Sequence, residues 1–274
     1  MGEIVAALAT THAPQLLIRP KETEDADEVA RTHAAMRRLG ERLDASGADT
    51  LLIVGLDHLE NYLDHVVAPF IVYTGDEIEG EFGPYRPRFR VDRPLAERML
   101  FGTLDRGFDI AWSQKTVLDH SFVVPLHFVH PGKRLPIVPI VVNAYLAPQP
   151  SPRRCHDLGR AVGEIVRASN RRVALLASGG MSHYPGTPRY PNPDFEFDRR
   201  LLASLERGEG RRLIDMTPGQ LDEAGNIELR TWMVVMGAIG ADRPATVVNY
   251  EPCWHHGHGV LYWDLAAAPA EAAS

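Results

Sequence analysis

The chain has 274 residues, 45% of them hydrophobic and 24% charged, with a formal net charge of −7. These values fit one large core-forming domain or two intimate ones, with no linker that divides residues 1–265, and they exclude a disordered chain and a basic nucleic-acid-binding surface. Two unpaired-looking cysteines, Cys155 and Cys253, no basic leader after Met1 and no apolar run near the roughly 18 residues of a membrane span point to a cytoplasmic protein without a disulfide framework or membrane attachment.

Residues 4–10 read as a strand ended by Thr11-His12-Ala13-Pro14. Residues 22–47 carry apolar side chains at helical spacing, with acidic residues first and basic residues later, and His33 on a helix face. Leu51–Leu56 is a buried strand stopping at Asp57-His58, where Asp57 either orients a neighbour or caps a helix. Val66–Tyr73 reads as a strand or a partly buried loop, and residues 75–94, rich in Gly, Pro and charge, as a long surface loop over a pocket. A helix over 95–105 and a short strand over Phe108–Trp112 follow, then Leu118-Asp119-His120-Ser121 and an apolar run to Val129. Ile137–Val142 is a further buried strand, with Pro139 suggesting an edge or a bulge. Residues 153–169 are a helix and Arg172–Ala177 a strand running into Ser178-Gly179-Gly180-Met181-Ser182-His183. Residues 184–194 are irregular, 195–206 a helix, and Ile227–Ala238 a helix carrying Glu228. The last strands, Ala245–Tyr250 and Val260–Leu265, are joined by a segment containing His255, His256 and His258, and residues 266–274 form an Ala-rich tail.

Three apolar strands thus each end near a histidine: His12, His58 and His183. In open α/β sheets, ligands bind beyond the carboxyl ends of the strands, so these histidines point to a crevice. His12, His58 and Glu228 form a candidate set of two imidazoles and one carboxylate, the donor set that suits non-haem Fe(II) with open positions. Taken singly, each histidine is more often a structural strand-end residue, and Glu228 more often a solvated helix residue. His255, His256 and His258 form a short cluster that could bind a metal, but they read first as a loop near the pocket or at a subunit contact. Gly179 and Gly180 suit either a close backbone approach or a tight turn, and Tyr184 either a substrate contact or packing.

Thr11-His12-Ala13-Pro14, Asp57-His58, Leu118-Asp119-His120-Ser121, Ser178-Gly179-Gly180-Met181-Ser182-His183 and Gly225-Asn226-Ile227-Glu228-Leu229 occur in this order. Together they resemble the class III extradiol ring-cleavage dioxygenases, the family typified by the catalytic β subunit of protocatechuate 4,5-dioxygenase. The resemblance runs from Ile4 to about Trp263. It implies an α/β fold with a mixed, largely parallel central sheet flanked by helices and a metal cleft at strand ends. It implies Fe(II) as cofactor, held by His12, His58 and Glu228, with His183 as acid/base and His120 as a second catalytic histidine. The family often has Asp-His-Gly where this chain has Asp119-His120-Ser121, so the extra side chain is expected to narrow the pocket.

The implied reaction opens a catechol-type or 2-aminophenol-type ring with O2 in aromatic compound catabolism. Arg86, Arg88 or Arg189 would pair with the carboxylate of a protocatechuate- or gallate-like ring. The implied partners are the small aromatic substrate and O2, with a homo-oligomer expected and a small separate subunit as a second way to close the pocket. Two alternatives stay open: the same scaffold with Zn(II), as a dopa-type ring-opening enzyme or a hydrolase, and a non-catalytic binding protein of this fold.

Overall fold

A computed structural model describes residues 1–18, 24–61 and 67–265. Four apolar strands form its parallel centre: β1 (Glu3–Thr10), β2 (Thr50–Gly55), β8 (Ile137–Val142) and β9 (Arg172–Ser178). They lie in the order β1-β9-β2-β8, and the parallel pairing aligns Thr10 with Ser178 and Val54 with Ala177. Their carboxyl ends therefore share one edge. Every residue of β2 and β8 is buried, which is why both read as continuous hydrophobic runs rather than alternating ones.

The other strands of the main sheet are β3 (Phe70–Tyr73), β6 (Ala111–Ser113), β10 (Ala245–Cys253) and β11 (His256–Trp263). They extend it to eight strands in the order β10-β11-β1-β9-β2-β8-β3-β6, with β10, β11 and β3 pairing antiparallel to their inner neighbours. The expected mixed, largely parallel sheet flanked by helices is what forms. Helices α1 (Ala26–Ala45) and α3 (His120–Val129) pack together on one face, and α2 (Arg93–Leu104), α4 (Pro152–Arg167) and α8 (Arg230–Ile239) on the other. The contact between α4 and α8 is very close, since a Cβ on Gly159 would lie 2.0 Å from the Val234 carbonyl and one on Gly237 2.0 Å from that of His156. This fixes α8, and with it the turn that carries Glu228.

Several local expectations need correction. Residues 75–94 are not a loop: β4 (Glu77–Gly80) and β5 (Arg88–Arg90) join β7 (Val117–Leu118) in a three-stranded sheet. Gly83 and Pro84 sit at the turn between β4 and β5 and mask two short strands, both of which alternate exposed with buried residues. Pro139 lies in an inner strand, because β3 pairs with β8 only from Ile140 to Val142 and leaves the proline beyond that ladder. The apolar run after His120 is α3, which tolerates Pro125 within its ten residues. The short strand near residue 110 is shifted to Ala111–Ser113, and β3 begins at Phe70. Glu228 lies not in α8 but in a 3-10 turn, Ile227–Leu229, immediately before it.

The segment joining the last strands is itself a tight hairpin. Trp254 and His255 adopt φ of 49° and 55°, which makes them its two turn residues and places His256 and His258 on β11. Trp232 and Met233 are fully buried in the core. His33 lies on the α1 face as expected, donating from Nε2 to the Leu16 carbonyl at 2.7 Å and stacking on Phe128. The expected tail, 266–274, lies outside the described residues, as do the first residues of the expected helix over 22–47.

Candidate metal centre

The ends of all four parallel strands supply the site. His12 follows β1, His58 follows β2, His183 follows β9, and Tyr145 follows β8. They converge on Glu228, which is buried. His12 Nε2 lies 3.1 Å from Glu228 Oε2, and His58 Nε2 and His183 Nε2 lie 3.6 and 3.3 Å from Oε1. The Gly180 amide donates to Oε2 at 2.6 Å, and the Tyr145 hydroxyl donates to Oε1. His120 stacks on His58 with ring centroids 3.8 Å apart. Potential ligand atoms of His12, His58 and His120 lie within 4.8 Å of one another, as do those of His183, Glu228 and His256. All five residues singled out from the sequence line one cavity of about 210 Å³, with Pro14, Gln15, Pro185, Tyr190 and the Trp254–His256 hairpin tip around them.

Hydrogen bonding fixes which imidazole nitrogen faces the cavity. The Ser178 hydroxyl donates its proton to the Ser121 carbonyl at 2.5 Å, so it can only accept from His12 Nδ1, 2.9 Å away. His12 therefore carries its proton on Nδ1 and a lone pair on Nε2. Asp119 Oδ2 accepts from His58 Nδ1 at 2.7 Å and from the His58 amide at 2.9 Å, which again leaves Nε2 toward Glu228. The Met181 carbonyl accepts from His183 Nδ1 at 2.8 Å, with the same consequence. Imidazoles held at Nδ1 by a carbonyl, hydroxyl or carboxylate, with Nε2 convergent, are what a metal centre requires. The residues present thus fit a divalent cation bound by His12, His58 and Glu228.

The electrostatics agree with that fit. Burial pushes the Glu228 carboxyl upward, but His12 and His183 outweigh it and hold the group well below its ordinary value. Burial opposes the charge on His58, and Asp119 and Glu228 overcome it, raising His58 to about 10. A proton on Nε2 thus stands where a cation would lie. Burial lowers His12, an effect that Glu228 only partly offsets. Burial likewise opposes the charge on His183, but Glu228 prevails and raises it.

The structure also decides the parts played by five further residues. Ser121 does not narrow the pocket: its hydroxyl lies 2.6 Å from Asp119 Oδ1 and 2.8 Å from the Leu56 carbonyl, and accepts the Leu56 amide at 3.1 Å. Asp57 accepts the Asn61 amide at 3.0 Å, while Asp119 takes the His58 ring. The Tyr184 hydroxyl donates to the Glu223 carbonyl at 2.5 Å, away from the cavity. Gly179 and Gly180 serve close approach, since a Cβ would lie 2.6 Å from the Glu228 carbonyl at the first and 1.9 Å from His256 Nε2 at the second.

The carboxylate-binding arginines are not where they were expected. Arg86 pairs with Glu81, Arg88 with Glu79, and Arg189 lies over the Tyr184 ring, so none lines the cavity. Tyr145 was missed, and His256 was read first as part of a loop near the pocket. Tyr145 follows a buried strand, as the three histidines do, and that pattern was the available signal. His256 stacks on His183, with centroids 4.0 Å apart and planes at 14°, which depends on a hairpin turn built without glycine.

The family model for the catalytic LigB subunit of aromatic ring-opening dioxygenase matches residues 6–260. The chain belongs to this family. Similar proteins include a 2,3-dihydroxyphenylpropionate/2,3-dihydroxicinnamic acid 1,2-dioxygenase of Klebsiella pneumoniae (strain 342), 32% identical over 71% of this chain and 61% of that protein. A Pseudomonas putida protein of the same description is 33% identical over 65% of this chain and 56% of its own length. The chain thus spans about three fifths of the length of the curated relatives it matches. A crystal structure of an uncharacterised protein from Escherichia coli K12 shares the fold, with a TM-score of 0.66 at 14% identity, over 95% of this chain and 100% of that one. Among the described residues of this family member, no helix is long and apolar enough to cross a membrane.

Proposed function

We propose that the protein is an Fe(II)-dependent extradiol dioxygenase that opens a catechol-type ring with O2, with His12, His58 and Glu228 as metal ligands and His183 and His120 as catalytic residues. The observation that carries this reading is the convergence of the His12 and His58 Nε2 atoms on the Glu228 carboxylate inside a small cavity, with both Nδ1 protons committed elsewhere. Two imidazoles and a hard carboxylate suit ferrous iron and leave positions for further ligands. When bound, the iron would gather the two adjacent ring oxygens and dioxygen and pass electron density between them.

The chain's own groups do the proton chemistry. His183 Nε2, with Nδ1 held by the Met181 carbonyl, accepts the ring hydroxyl proton and later returns it. His120, at the amino end of α3 and stacked on His58, is placed to donate a hydrogen bond to a substrate or dioxygen oxygen. The ring opens beside the two oxygens, and both atoms of O2 enter the product. The same reading includes a cytoplasmic location, a role in aromatic compound catabolism, and closure of the pocket mouth by a second copy or a small subunit.

The test is anaerobic Fe(II) reconstitution, then oxygen uptake with a panel of catechols, including 2,3-dihydroxyphenylpropionate, gallates and aminophenols. Oxygen consumption with a new ring-opened absorbance for one compound is expected. No iron binding at all would sink the reading, whereas bound iron with no uptake from any compound would point to a missing subunit or an untested ring. Activity restored by Zn(II) and not by Fe(II) would favour the zinc alternative.

Ser121 gives a further prediction. It braces Asp119, which holds His58, so Ser121→Gly is expected to weaken Fe(II) binding about tenfold, the lower range for loss of a group behind a metal ligand. An anaerobic Fe(II) titration of the two proteins measures it. Equal affinities would show that Asp119 needs no brace.

A further inference from the structure

Behind the cavity, Asp198 of α5 (Phe195–Glu206) is wholly buried. Its two oxygens each accept the Ser182 amide at 3.1 Å. Oδ1 also accepts from Asn226 Nδ2 at 3.0 Å, and Oδ2 from the Tyr250 hydroxyl at 2.8 Å. Gly257 passes so close that a Cβ there would lie 2.1 Å from Oδ2. No lysine or arginine among the described residues forms an ion pair with it.

These partners matter because of their neighbours. Ser182 precedes His183, Asn226 lies two residues before Glu228, and Gly257 follows His256, which stacks on His183. One carboxylate therefore ties together the loop of the acid/base histidine, the turn of the central carboxylate and the hairpin behind both. Further backbone bonds close the same knot: His183 donates to the Gly225 carbonyl at 3.1 Å, and Gly257 to that of Ser182 at 3.1 Å.

We propose that Asp198 is the positioning residue that sets His183 against Glu228, by clamping the 178–183 loop and the 225–228 turn through Ser182 and Asn226. A single acceptor with two oxygens can serve all three elements, whereas an amide in its place loses one of the two Ser182 contacts and turns a donor toward either Asn226 Nδ2 or the Tyr250 hydroxyl. Burial of a carboxyl without a cation is costly, and burial is the main cause that raises Asp198 to about 6. A group kept at such a cost is consistent with a function beyond packing.

This proposal rests on the dioxygenase reading for its kinetic consequence but not for its structural one, and the experiment separates them. In metal-free protein, the side-chain nitrogen resonances of His183 are identified by their loss in His183→Ala. Asp198→Asn is expected to move or broaden them while leaving those of the distant His156 in place. Tyr250→Phe, which keeps the carboxylate and removes one donor, is expected to shift them less, and it serves where the asparagine variant fails to fold. In iron-loaded protein, Asp198→Asn is expected to lower kcat about tenfold with KM and iron content nearly unchanged. It should also reduce ionisation of bound 4-nitrocatechol, read from its visible absorption under anaerobic conditions. Unmoved His183 resonances in both variants would overturn the proposal. So would a variant whose melting temperature changes while kcat per iron and the nitrocatechol spectrum match the parent. Inactivity of the parent itself, with shifted resonances in the variant, would count against the dioxygenase reading and leave the clamp standing.

Discussion

Replacing Glu228 with alanine is expected to weaken Fe(II) binding by far more than a hundredfold. Loss of a group behind a ligand costs about 10- to 100-fold, and Glu228 is the one carboxylate on which His12, His58 and His183 converge. The same change removes the acceptor of the Gly180 amide and the Tyr145 hydroxyl. It would therefore also destabilise the metal-free fold, by about 3–5 kcal/mol if the buried imidazoles behave as broken ion pairs. Glu228→Gln separates the two effects. It keeps an oxygen for the Gly180 amide, so the fold should persist, while the missing negative charge should still abolish tight metal binding. Metal analysis after gel filtration, together with thermal melts, decides the matter. A glutamine variant that retained one tightly bound iron would remove Glu228 from the ligand set.

His183→Ala is expected to leave iron content at the parental level and to reduce kcat by about 10²–10⁴, the usual range for a positioned acid or base. The geometric ground is that the ring is fixed on two sides, by the Met181 carbonyl at Nδ1 and by the parallel face of His256, leaving Nε2 as its reactive atom. Stopped-flow oxygen uptake with saturating catechol gives kcat, and metal analysis of the same sample gives the iron content. Iron-loaded protein turning over at the parental rate would exclude His183 as the acid/base.

The pattern of four parallel strands ending at the site was only partly legible. His12, His58 and His183 announce themselves because a polar, ionisable residue closes each buried apolar run. Tyr145 follows the same grammar after β8, but Pro139 pointed that run toward a sheet edge, so its end attracted no attention. Glu228 was found through a resemblance, since a lone acidic residue before an apolar helix carries no local mark of burial. His256 was undervalued because its neighbourhood reads as a loop. Two non-glycine residues with positive φ make the hairpin, and side chains at such positions are uncommon enough that sequence reading does not expect them. Residues 75–94 failed in the opposite way, because their turn residues outnumber the few alternating positions that mark β4 and β5.

Hydrophobic periodicity and residue type, which are properties of the chain itself, determined the buried strands, the principal helices and the set of imidazoles that end three of the strands. Strand order is decided by long-range pairing, and the assembled sheet and helices bring His12 and Glu228, more than 200 positions apart, to within 3.1 Å. That same assembly chose the tautomers. A Ser178 proton spent on Ser121 fixes His12, and an Asp119 carboxylate fixes His58, through partners separated by 166 and 61 positions. The ligating atom of each histidine is therefore a property of the tertiary hydrogen-bond network, because an imidazole exposes whichever nitrogen its other neighbour leaves free.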